Sequence, residues 1–182
     1  MARRITEQSE YGPHVDRLKL EAVSTVLAGN LYPSMGYVPE HGVDVLLCRR
    51  ARAQGRVIRG LELRAEQERA FLTSTTTELT TGLEMQFNHP ELMHQLAEKV
   101  VSSFRDGDVQ SIDEIRATMR RYAPIRTAAL LEGRESKWSD LLKVVFAQNR
   151  SVFIVVGALH VAATGGILER LTRARYNFDR IT

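Results

Sequence analysis

Residues 151–171 read SVFIVVGALHVAATGGILERL, and the fold turns on how the apolar run Val152–Val156 is read. Five consecutive apolar residues, most of them β-branched, closed by Gly157, have the length and character of a buried strand. Gly157 allows a tight exit from it. His160 follows, then Gly165 and Gly166, then an apolar-periodic tail that predicts a helix. A histidine just past the C-terminal end of a parallel strand stands where α/β sheets collect their reactive groups. A hydrogen-bonded structural histidine is the commoner outcome at such a place, and spacing alone leaves both readings open.

Working outward, RVIRGLE (56–62) is short enough for a second strand, and YNFDRI (176–181) alternates as a last one. The remainder reads as helix. Residues 14–29 form one, stopped by Gly29 and Asn30, and 30–42, with two prolines and two glycines, a loop. Residues 43–55 form another, with Val45, Leu46, Cys48 and Ala53 along one side and Gly55 as its stop. A long helix is expected over 64–87. Pro90 opens the next, with Leu92, Met93, Leu96 and Val100 as its stripe. Ser111 and Glu114 have capping-box spacing before Ile112, Ile115 and Met119. After Pro124 the chain is helical again, with Gly133 as an interruption and Trp138, Leu141, Leu142 and Val145 on one side. Helices between short strands predict an α/β fold, helix-rich, with a small mixed or mostly parallel sheet flanked by helices. Residues 1–34 read as an N-terminal helical and loop segment, and 35–182 as a single α/β domain.

A chain of 182 residues with 43% apolar and 26% charged residues can bury a sizeable core, which argues against disorder. No apolar run approaches the roughly 20 residues of a membrane span. The opening MARRITEQSE has no apolar stretch of a signal peptide behind its arginines, which fits a cytoplasmic protein and equally a fragment without its original start. The net charge is +3, with 21 Arg against 4 Lys. The dense cluster Arg49, Arg50, Arg52, Arg56, Arg59 and Arg64 reads as the solvated face of a helix and its exit turn. No stacking or zinc-finger motif accompanies it, and no nucleic-acid partner is expected. The single cysteine, Cys48, excludes a disulfide scaffold within the chain and a Cys-cluster metal site.

A metal ion wants three or four protein ligands, or three plus water. His89 and His94 are five residues apart, off the steps that share a helical face, and read as surface residues. His14 and His41 lie in polar, turn-rich surroundings. Glu62 falls just past the predicted strand 56–62. If both strands belong to one parallel sheet, Glu62 and His160 share an edge, where a carboxylate and an imidazole could hold a metal or a proton between them. The plainer alternative is an ion pair of Glu62 with Arg59 or Arg64. Arg134 and Arg150 could face the same edge.

Taken in order, Gly42-Val43-Asp44, Ala51, Gly55-Arg56, Gly60-Leu61-Glu62 and Glu66-Gln67 resemble the middle of the TraB/GumN family, also called TraB/PrgY or TIKI-like. Arg134, Trp138 and the Gly157-x-x-His160 stretch resemble its C-terminal part. The resemblance covers roughly residues 35–182. It implies a site made of two Gly-x-x-His motifs and a glutamate, with Gly157 and His160 as the second motif, Glu62 as the glutamate and Arg134 as the nearby arginine. The family includes metal-dependent peptidases, exported or membrane-tethered, and bacterial members without a settled activity.

The departures are specific. Nothing in residues 1–40 has the form of the first Gly-x-x-His strand. The family's Arg-Asn pair is Arg134-Glu135, and its glycine before the last tyrosine is Arg175. A sheet without its first strands would expose an edge, which a second copy could cover, so a homo-oligomer is expected. Two readings follow. The first is a non-catalytic or degenerate member acting through binding or assembly. The second is a metal-dependent hydrolase of peptide or protein substrates, in which His160 and Glu62 bind zinc, manganese or cobalt, Arg134 steadies developing charge, and another ligand comes from elsewhere or from a second chain.

Overall fold

In the computed structural model, residues 18–161 and 164–181 are described. The chain is all-α, and among the described residues there is no strand. The helices are α1 Leu20–Ser34, α2 Val43–Ala53, α3 Arg64–Leu72, α4 Thr76–Asn88, α5 Pro90–Asp106, α6 Val109–Tyr122, α7 Pro124–Thr127, α8 Gly133–Phe146, α9 Ala158–Val161 and α10 Ile167–Arg173. A 3₁₀ turn spans Pro39–His41 and a π-helical turn Ala128–Glu132.

The expected α/β sheet is therefore corrected. Among the described residues none of the three predicted strands forms regular structure, with a bend at residues 61–62, and they leave apolar side chains in solvent. Phe153 is 81% exposed, Val57 83% and Ile181 95%. A strand is stable only when a distant partner completes its ladder, so local β-propensity cannot make one alone. Instead, each stretch lends a side chain to a helical core. Leu61, Val156 and Tyr176 pack on the buried cluster Trp138, Leu142, Ile167 and Leu171 of α8 and α10.

The chain divides into two compact units, residues 1–59 with 71–101, and residues 60–70 with 102–182. In the first, Val23 and Leu27, one helical turn apart on α1, close on Leu83 of α4, with Leu18, Leu20 and Phe87 around them. Gly29 and Asn30 do not stop α1, which runs on to Ser34 through Pro33. Helix α2 ends as predicted at Gly55, whose φ is 65°. The Gly55 N–H bonds to Arg52 O and the Arg56 N–H to Ala51 O, a Schellman closure that needs a left-handed residue.

The long helix expected over 64–87 is two helices. Thr75 accepts from the Glu78 N–H, and the Glu78 carboxylate accepts from the Thr75 N–H, so a reciprocal capping box starts α4 afresh. The box expected at Ser111 belongs three residues earlier, where Asp108 caps α6 by accepting from the Ser111 N–H at 3.0 Å. The interruption expected at Gly133 is a π turn, Ala128–Glu132, just before it.

Candidate functional site

The second unit buries an unusual amount of charge. Helix α6 presents Ile112, Ile115 and Met119 at helical spacing, and Arg116 shares that face. Arg116 is 1% exposed and Glu135, on the first turn of α8, 0%. The guanidinium grips the carboxylate at both ends, NH1 to Oε1 at 2.5 Å and NH2 to Oε2 at 2.7 Å. Arg116 NH1 also donates to the Leu159 carbonyl at 3.0 Å, tying α6 to α9. The Arg116 Nε is left without a partner.

His160 stands on α9, the short helix that Gly157 opens by accepting the His160 N–H at 2.9 Å. It is 9% exposed, and its Nδ1 lies 3.2 Å from Glu135 Oε1. The imidazole also sits against Trp138, ring centroids 4.8 Å apart and planes tilted at 58°. Burial pushes the Glu135 carboxyl up, but the hydrogen bonds from His160 and Arg116 and their charge outweigh it and hold the group below the ordinary carboxylate range. For Arg116, burial works against the charged form, and the Glu135 carboxylate more than compensates, so its pKa is raised.

Glu62 meets neither Arg59 nor Arg64. It is held by Arg134, with NH2 to Oε1 at 2.7 Å and Nε to Oε2 at 3.1 Å, both side chains mostly buried. Arg134 also donates to the Leu130 carbonyl in the π turn. Its guanidinium lies over Trp138, 4.6 Å from the ring centroid, the i to i+4 relation on α8. Trp138 is thus in contact with Arg134 and with His160, and links the two ion-paired groups. The three sequence-picked residues Glu62, Arg134 and His160 belong to one connected cluster, but no strand edges carry them.

The other candidates lie elsewhere. Arg150 is exposed and bonds to Gln148. His94 Nδ1 sits 2.8 Å from the Pro90 carbonyl, and His89 and His41 are exposed. His14 lies outside the described residues. Cys48 is a half-buried free thiol. The Gly165 amide, which precedes α10, already has an anion from the chain itself, donating to Glu169 Oε2 at 2.5 Å.

Sequence reasoning missed Arg116 and the role of Glu135. Both had a signal. Arg116 is a charge placed four residues after Ile112 on an apolar stripe. Glu135 was noted only as a departure from an Arg-Asn pattern.

The divalent metal that the resemblance implies does not fit these residues. Among the described residues no three of His, Cys, Asp and Glu gather into a group able to hold a metal ion. Both Glu62 oxygens accept from Arg134, and both Glu135 oxygens are bound by Arg116, with His160 sharing one of them. What this arrangement can do is fix the imidazole and the indole in one geometry.

The profile of the TraB/PrgY/gumN family matches residues 1–180 of the chain, taking in the N-terminal part that the motifs left out. No curated protein and no solved structure matches it.

Proposed function

We propose that this chain, which belongs to the TraB/PrgY/gumN family, acts through binding and assembly, with His160, Glu135, Glu62 and Arg134 serving as a fixed internal scaffold. The observation that carries the reading is that both carboxylates of the cluster are occupied by arginines. A carboxylate that accepts from a bidentate guanidinium is a poor cation ligand and a poor base, because its lone pairs and its charge are already engaged.

Assembly is supported by the segment 152–155. It lies outside any helix, and Val152, Phe153, Ile154 and Val155 are all exposed. Such a segment offers unpaired backbone groups to another chain. A second copy can offer the same segment antiparallel, which a two-fold axis satisfies by itself.

The full chain is to be titrated with zinc, manganese and cobalt and weighed by light scattering. The scaffold reading expects no stoichiometric metal in the wild type or in His160→Ala, and a homo-oligomer that Phe153→Asp shifts toward monomer. Stoichiometric metal that disappears in His160→Ala would sink it in favour of the metal-dependent hydrolase, with Glu62 released from Arg134 to serve the ion.

A further inference from the structure

Between residues 49 and 59 stand Arg49, Arg50, Arg52, Arg56 and Arg59, every one exposed. No ion pair or side-chain hydrogen bond engages any of them among the described residues. Residues 43–59 contain one acid, Asp44. So many unpaired guanidinium groups so close together repel one another, and the repulsion is relieved by a multivalent anion.

The apolar side chains among them decide which anion. On α2, Val45, Leu47, Cys48 and Ala51 are half-buried, whereas Val43 and Leu46 are 53% and 49% exposed. Arg49 and Arg50 come three and four residues after Leu46, so the exposed leucine is flanked by two arginines on one face. The Schellman closure at Gly55 then turns the chain into Arg56–Arg59, where Val57 and Ile58 are 83% and 43% exposed between two arginines. A phosphate backbone in water gives such aliphatic groups nothing to bury against, and no aromatic residue is present here to stack on a base. A lipid headgroup layer accepts both kinds of side chain. Arginine stems lie along the apolar boundary while their guanidinium groups stay with the phosphates. No described helix is long and apolar enough to cross the bilayer, so the contact is with its surface.

We propose that residues 43–59 form a docking surface for an anionic lipid bilayer, with the five arginines on headgroup phosphates and Leu46, Val57 and Ile58 in the acyl boundary. The surface is independent of the His160 cluster.

The full chain is to be sedimented with phosphatidylcholine vesicles made with and without phosphatidylglycerol, at rising salt. Binding is expected only with phosphatidylglycerol, weakening as salt rises. The triple variant R49Q/R50Q/R52Q, with an unchanged circular dichroism spectrum, is expected to partition about a hundredfold more weakly. A second variant, L46Q/V57Q, keeps every charge and is expected to lose the part of the binding that survives high salt. No binding to phosphatidylglycerol vesicles, or equal binding with and without that lipid, overturns the proposal. So does binding by L46Q/V57Q equal to wild type at every salt concentration. Tighter salt-sensitive binding to a DNA duplex than to the vesicles overturns it in favour of a nucleic-acid surface.

Discussion

Val23, Leu27 and Leu83, with Phe87 against them, close the core of the unit built on α1 and α4 with uncharged apolar side chains, the three buried ones aliphatic. The unit built on α6, α8 and α10 sets a fully buried ion pair, Arg116–Glu135, and a buried histidine beside its Trp138 cluster. An aliphatic core tolerates changes of shape, because its attraction has no direction. A buried ion pair has strict geometry and fails abruptly, because removing one partner strands the other charge away from water. The two cores therefore differ in how they fail. The second is also the one that gathers candidate site residues, since only directional contacts can hold an imidazole and an indole in a fixed relation.

The largest expected effect tests that difference directly. Glu135→Ala leaves the Arg116 guanidinium buried and unpaired, and should lower stability by about 3–5 kcal/mol in urea unfolding. The same variant should change the acid response. The Glu135 carboxyl is held below its ordinary value of 4.5 in the folded chain. The unfolded chain thus binds more protons in that window, and the stabilisation is present above 4.5 and lost as pH falls through the lower folded value. Wild type should weaken as pH drops from 4.5 through that lower value, and Glu135→Ala should lose that part of the slope. An unchanged slope would mean that the pair adds no pH-dependent stability.

A smaller effect is expected in the aliphatic core. Leu83→Ala should cost about 2–3 kcal/mol by lost burial and a residual cavity. Hydrogen exchange should rise in α1 and α4, the helices whose side chains it separates. A loss matching that of Glu135→Ala would erase the contrast between the two cores.

The smallest expected effect is a gain. Arg175 has φ 67° at the residue that closes α10, where its N–H bonds to Thr172 O and the Tyr176 N–H to Leu171 O. This is the Schellman geometry of α2 again, with arginine where Gly55 stands in the other turn. Arg175→Gly should raise stability by about 1 kcal/mol, measured as a higher urea midpoint. No gain would mean that another contact of Arg175 offsets the strained backbone.

Helix existence was legible where punctuation is chemical. Pro90 opens α5 and Gly55 closes α2 as their residue types require. The Thr75–Glu78 box was equally local but was hidden inside an apolar periodicity that appeared continuous. Of the candidate cluster, Glu62, Arg134 and His160 were found by motif order. The buried pair that His160 leans on was not, because Arg116 and Glu135 meet across α6 and α8, a pairing that no spacing encodes.

The sequence by itself determined the family, most of the helices, and the punctuation at Pro90 and Gly55. These rest on contacts within a few residues, so the local order of side chains suffices. Only the tertiary structure decided that the stretches 56–62, 152–157 and 176–181 give side chains to a helical core instead of joining a sheet. It alone decided that Glu62 pairs with Arg134 and that His160 leans on Glu135. Each of these outcomes depends on which distant groups meet, and burial then fixes the choice, because a charge or a polar ring taken from water must find its partner inside.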